Sequence, residues 1–115
     1  MNEKERIEKY VLEFVAYEEE PLHIIISALM KTGLCEKPKD AISSVMDLFR
    51  KGDLQAYSHS GKSGDPYVEI QEMDENEIYS DVEKRTDFEN YPEGNEYFFK
   101  ISKKAWESFK DKLDL

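Results

Sequence analysis

The sequence predicts an α+β fold with three N-terminal helices, a small antiparallel sheet that carries an acidic insertion, and a C-terminal helix. Two observations support this prediction. Apolar residues recur at helical spacing in three stretches before Gly52. After Gly52 there are short runs of aromatic and β-branched residues, separated by residues typical of turns. The 115 residues, 39% of them hydrophobic, are enough for one domain over 1–115 that folds without a metal or a disulfide.

The first two helices are predicted from their ends and from their apolar stripes. Asn2, with Glu5 three residues later, is typical of a helix N-cap, and the helix is predicted over Glu3–Ala16. The second helix is predicted over Pro21–Lys31, because proline suits the first helical position and the apolar spacing is dense enough for burial on most sides. Gly33 is expected to end this helix in a left-handed conformation.

The third helix is predicted over 38–51, beginning at Pro38 and ending before Gly52. Its predicted inward face is apolar and consists of Ala41, Ile42, Val45, Leu48 and Phe49. Its predicted outward face is polar and consists of Asp40, Ser43, Ser44, Asp47 and Lys51. We expect Phe49, together with Ile26 and Trp106 on other helices, to be buried.

The rest of the chain is predicted to form a hairpin, a short helix, a strand and a last helix. The runs 54–57 and 67–70 flank a turn-rich stretch and predict a β-hairpin. Within the acidic insertion 71–95, Asp74 is a candidate N-cap for a short helix that carries Ile78 and Val82. Residues 97–101 predict a buried strand. Ser102 is then expected to cap a helix that carries Trp106, Phe109 and Leu113.

Two short segments resemble the winged helix-turn-helix family. Leu48-Phe49-Arg50-Lys51-Gly52-Asp53-Leu54 resembles the junction between that family's third helix and the following strand. Tyr97-Phe98-Phe99-Lys100-Ile101-Ser102-Lys103-Lys104-Ala105 resembles the return strand of the wing and the start of the helix after it. The resemblance implies a third helix that recognises a ligand and a hairpin that acts as a wing. The long insertion 71–95 departs from a simple wing.

The charge distribution is the main indication of function. The net charge is −10, and residues 62–95 hold eleven acids against three bases, so most of the imbalance lies in one segment. Such a surface repels nucleic acid and anionic lipid and attracts a basic protein. We therefore expect a non-catalytic protein-binding module with a basic partner, for example an immunity or antitoxin-like protein. The candidate partner-binding residues are Asp74, Glu75, Glu77, Tyr79, Asp81 and Tyr91.

The alternative is a DNA-binding transcriptional regulator that uses helix 38–51 and the wing. Its candidate DNA-binding residues are Lys39, Ser43, Ser44, Arg50, Lys51 and Lys62. Asp40 and Asp47 on the same helix would be repelled by phosphate, so the charge disfavours this alternative.

No catalytic, metal or cofactor site is predicted. His23, His59 and Cys35 have no second ligand or catalytic base at a suitable spacing, and the acids of the insertion lie in a polar run that would leave them solvated. The single cysteine and the lack of a signal peptide or a membrane-spanning run lead us to expect a cytoplasmic protein that does not enter membranes. The sequence leaves the oligomeric state open.

Overall fold

The fold is α+β, with five helices and a four-stranded antiparallel sheet in the part of the chain described. The computed structural model describes residues 2–84 and 96–110, except the side chain of Phe109. The elements in chain order are α1 (Glu3–Phe14), β1 (Glu20–Pro21), α2 (Leu22–Lys31), α3 (Pro38–Arg50), β2 (Leu54–His59), β3 (Val68–Ile70), α4 (Glu75–Glu83), β4 (Glu96–Ile101) and α5 (Lys103–Phe109).

The first two helices follow the sequence pattern with one correction. Asn2 caps α1, its side-chain oxygen accepting a hydrogen bond from the backbone N–H of Glu5 at 2.8 Å. Gly33 adopts a φ of 79° just beyond α2, as expected for a residue that must take the left-handed conformation. Pro21, however, lies in β1 and is the N-cap of α2, so it is not the first helical residue.

The sheet has the strand order β1-β4-β2-β3, and all of its neighbours are antiparallel. The predicted hairpin is confirmed because β2 pairs with β3, with Ala56 opposite Ile70. On its other side Ala56 lies opposite Phe99 of β4, and both residues are completely buried. Strand β1 was not predicted. It has two residues and, among the described strands, pairs with β4 alone.

Helix α3 is the central helix, because it packs against α1, α2, α4 and β2. This position corrects its predicted faces. Ser44 was expected to point outward, but it is buried and its hydroxyl donates a hydrogen bond to the backbone oxygen of Asp40 at 3.1 Å. Met46 is also buried. Phe49 and Trp106 of α5 were expected to be buried and are only partly so, whereas Ile26 is buried as expected.

The helix predicted in the acidic insertion is present as α4. Asp74 caps it by accepting hydrogen bonds from the N–H groups of Asn76, at 2.9 Å, and Glu77, at 3.3 Å. Ile78 and Val82 are buried and belong to the same core cluster as the N-terminal helices, so this part of the insertion is not a separate appendage.

The C-terminal helix begins as predicted. Ser102 caps α5 by accepting a hydrogen bond from the N–H of Ala105 at 3.1 Å. The predicted contributions of Phe109 and Leu113 to the core lie outside the described side chains. The candidate partner residue Tyr91 likewise lies outside the described residues.

Candidate functional site

Three exposed carboxylates lie along one side of α4, beside a tyrosine of β4. Asp74, Glu77 and Asp81 are spaced three and four residues apart, which places them on one side of a helix. Tyr97 lies next to them and is half-buried. Burial raises the pKa of Tyr97, and the charges of Glu77, Asp81, Glu96 and Asp74 raise it further. We call Asp74, Glu77 and Asp81 the α4 acidic face.

The α4 acidic face forms no ion pair with the basic side chains that the structure describes. No lysine or arginine in the described ranges 2–84 and 96–110 lies within ion-pair distance of these three carboxylates. Other acids nearby behave differently. Glu75 of the same helix, for example, pairs with Arg50 at 3.1 Å. Within the described residues, the face therefore presents three negative charges that are paired with no basic side chain, and the Asp74 carboxylate in addition accepts the two capping hydrogen bonds of α4.

The opposite side of α4 is engaged by α3. Tyr79 is half-buried, hydrogen-bonds with the side chain of Ser43, and lies under Lys39, whose Nζ is 5.8 Å from the ring centroid. Burial raises the pKa of Tyr79, the charge of Glu75 raises it further, and the Ser43 hydrogen bond lowers it. The structure thus divides the predicted partner-binding residues. Asp74, Glu77 and Asp81 face solvent, whereas Glu75 and Tyr79 hold α4 against α3.

The candidate DNA-binding cations of α3 are also engaged by other residues of the chain. Arg50 pairs with Asp47 at 3.2 Å as well as with Glu75, and Lys51 pairs with Glu8 of α1 at 2.5 Å. Lys39 lies over an aromatic ring, and Ser44 is buried. Lys62, the remaining lysine of the candidate set, is exposed in the hairpin loop.

A buried pair that sequence reasoning missed fixes the start of β4. Nδ1 of His23 contacts Oε2 of Glu96, and both side chains are almost completely buried. Oε1 of Glu96 accepts a hydrogen bond from the backbone N–H of Tyr97 at 2.8 Å. The pair thereby connects α2 to the residue that adjoins the α4 acidic face. In the sequence, Glu96 is one acid among many in an acidic stretch, so no signal distinguished it.

The other histidine and cysteine side chains that the structure describes do not form a metal site or a catalytic site. No group of three or more His, Cys, Asp or Glu side chains in the described part of the chain is placed to hold a metal ion. Nε2 of His59 lies 2.9 Å from the backbone oxygen of Asp65, which ties it into the hairpin loop. Cys35 is buried. Burial raises the pKa of its thiol, and the charges of Asp40 and Glu3 raise it further, which opposes the thiolate form that a nucleophile needs.

Comparisons with protein-family models, with curated proteins and with solved structures find no match to this chain. Among the helices within 2–84 and 96–110, none has the length and apolar character needed to cross a membrane. A functional proposal must therefore rest on the chemistry of the described surfaces.

Proposed function

We propose that this chain is a non-catalytic protein-binding module that engages a basic partner through the α4 acidic face. The observation that carries the proposal is the alignment of Asp74, Glu77 and Asp81 on the solvent side of α4, where no lysine or arginine among residues 2–84 and 96–110 pairs with them. Three like charges on one face are unfavourable in isolation. Lysine or arginine side chains of a partner would relieve that repulsion.

Charge and burial contribute differently to such a complex. The net charge of −10 raises the rate of encounter with a basic surface, whereas the ring of Tyr97 beside the acids offers apolar area that slows dissociation. One concrete version is an immunity or antitoxin-like protein that covers the basic, nucleic-acid-binding surface of a nuclease. A cytoplasmic location belongs to the same proposal.

The test is a double charge reversal, Glu77→Lys with Asp81→Lys. Asp74 is left unchanged because its side chain caps α4. The matched control is Glu19→Lys with Glu36→Lys, which changes the net charge equally at two exposed acids outside α4. Each tagged protein is used to capture binding partners from its native cells. The partner retained by the wild-type chain is then measured for association rate at low and physiological salt.

We expect the α4 reversal to slow association by about tenfold or more at low salt, since electrostatic steering is worth about 10- to 1,000-fold. The control reversal should have a smaller effect. Equal association rates for the two variants would refute the assignment to α4 and leave only a general effect of net charge.

A DNA-binding regulator is the second candidate. The observation in its favour is that three helices precede the β2–β3 hairpin, and that β4 and a closing helix follow α4, which agrees with the element order that the winged-helix resemblance implies apart from β1 and α4. Against it, Arg50 at the end of α3 and Lys51 directly after it are already ion-paired. We expect random duplex DNA to bind weakly at physiological salt in a fluorescence anisotropy titration. Micromolar or tighter binding that is lost on Lys39→Glu or Arg50→Glu would favour the regulator.

A further inference from the structure

We infer that the cavity between α3 and α4 binds a small carboxylate that carries an aromatic or branched apolar group. The cavity has a volume of about 270 Å³ and lies between the beginning of α3 and the last turn of α4. Its lining residues are Lys37, Pro38, Lys39, Ile42, Tyr79, Val82 and Glu83. This site is separate from the α4 acidic face, so the inference does not depend on the proposed function.

The walls of the cavity are apolar. Ile42 is completely buried and Val82 nearly so, and both belong to the hydrophobic core. Pro38 and the ring of Tyr79 are half-buried and form further parts of the wall. A small apolar cavity of this kind favours one ring or one branched chain, because removing such a group from water is favourable and the space admits little more.

The charge at the cavity selects an anion. Lys37 and Lys39 are exposed and line the cavity, and neither has a carboxylate within ion-pair distance in the part of the chain described. Nζ of Lys39 lies over the ring of Tyr79, which leaves its positive charge in place at the cavity. At the other end of α3, Arg50 and Lys51 are both ion-paired. Glu83 contributes one negative charge to the lining, so the two lysines leave a net positive charge at the cavity. This local excess contrasts with the net charge of −10 of the whole chain.

The dipole of α3 also favours an anion at this cavity. Lys37 is the N-cap of this 13-residue helix and makes no side-chain capping hydrogen bond. Pro38, at the next position, has no N–H group. Because Lys37 and Pro38 line the cavity, the positive end of the α3 dipole lies at its edge and adds to the charge of the two lysines.

A larger cavity, of about 630 Å³, lies between α3 and the hairpin and does not offer the same selectivity. The cation in its lining, Arg50, already has the partners Asp47 and Glu75. Glu69 and Glu72 line it as well, so its described lining offers no unpaired cation to recognise an anion.

The experiment uses the full chain and four probes that separate charge from apolar character. Benzoate has both features, benzyl alcohol has the ring without the charge, benzylamine has the ring with the opposite charge, and acetate has the charge without the ring. Each probe is titrated into the low-millimolar range while the methyl signals of Ile42 and Val82 are followed by NMR. We expect saturable shifts with benzoate, at least severalfold weaker binding of benzyl alcohol, and no saturable shift with benzylamine or acetate.

A double substitution tests the lysines. Lys37→Ala with Lys39→Ala should weaken benzoate binding by about three- to tenfold, since each exposed charge pair makes a modest contribution. The matched control, Lys100→Ala with Lys103→Ala, removes two exposed lysines elsewhere and should leave the binding unchanged. All four positions are exposed, so the variants should fold. Failure of benzoate to shift Ile42 and Val82 would overturn the inference, and so would equal binding of benzyl alcohol or equal weakening by the control.

Discussion

Ile78→Ala tests whether α4 is part of the core. The side chain of Ile78 is 3% exposed and packs in the same hydrophobic cluster as the N-terminal helices. A helix as short as α4, which has nine residues, is marginal in water, so its helical state depends on that packing. The substitution should therefore destabilise α4 and the core together.

The magnitude follows from the atoms removed. Ile→Ala deletes three carbon groups, and at about 0.8 kcal/mol each the lost transfer free energy is about 2.4 kcal/mol. The void left behind adds to this, and buried Ile→Ala substitutions cost about 2–5 kcal/mol. With a urea dependence of about 1–3 kcal/mol per molar, the unfolding midpoint should fall by about 1 M or more.

The assay is urea denaturation followed by circular dichroism, together with amide hydrogen exchange in α4. The matched control is Glu77→Ala, an exposed residue one position earlier that makes no ion pair in the described ranges, and it should change the stability by less than about 0.5 kcal/mol. The reasoning would be refuted if Ile78→Ala left both the midpoint and the exchange rates in α4 at the control's values.

Three further predictions concern the buried pair, the cysteine and the candidate site. Glu96→Ala should lower the free energy of unfolding, measured by urea denaturation, by about 3–5 kcal/mol, because it removes the buried partner of His23. Glu96→Gln should lower it by less. Cys35 should react with iodoacetamide more slowly at pH 8 than the same thiol in urea, because burial and its raised pKa both oppose thiolate attack. Glu77→Gln should lower the pKa of Tyr97, measured by NMR titration of its ring, because the charge of Glu77 helps to raise it.

The helices were predictable from sequence because their signals are local. Capping residues and apolar spacing lie within a few positions of each other, which is why the N-cap at Asn2 and the end of α2 at Gly33 are confirmed. Burial on α3 was less predictable, since it depends on how many neighbours surround a helix. With packing partners on several sides, α3 buries Ser44 beyond its apolar stripe and leaves Phe49 partly exposed.

Strand β1 had no comparable local signal. Glu20 and Pro21 form a strand only because they lie beside Phe99 and Phe98 of β4, nearly eighty residues later in the chain. The same separation explains why the contact between His23 and Glu96 was missed, since these residues follow the β1–β4 pairing by a few positions. Neither residue type nor spacing indicates which distant segment will adjoin a two-residue strand.

The sequence predicted which residues belong to the candidate site but not which of them face solvent. At about 100° per residue, Ile78 and Val82 define the inward line of α4, and the candidate residues fall on its two sides. Asp74, Glu77 and Asp81 lie on one side, and Glu75 and Tyr79 lie on the other. That division follows from the sequence alone. Which side meets α3 is decided by how α4 docks.

The docking direction gives the two sides of α4 different roles. Had α4 docked the other way round, Tyr79 would adjoin solvent and the three acids would lie against the cations of α3. In the observed direction, Glu75 pairs with Arg50, and Asp74, Glu77 and Asp81 lie beside Tyr97 without an ion pair to any described residue. The exposed charge that carries the proposed function is therefore a consequence of tertiary packing. The local sequence of the acidic segment places the three acids on one side of α4 but does not determine that this side faces solvent.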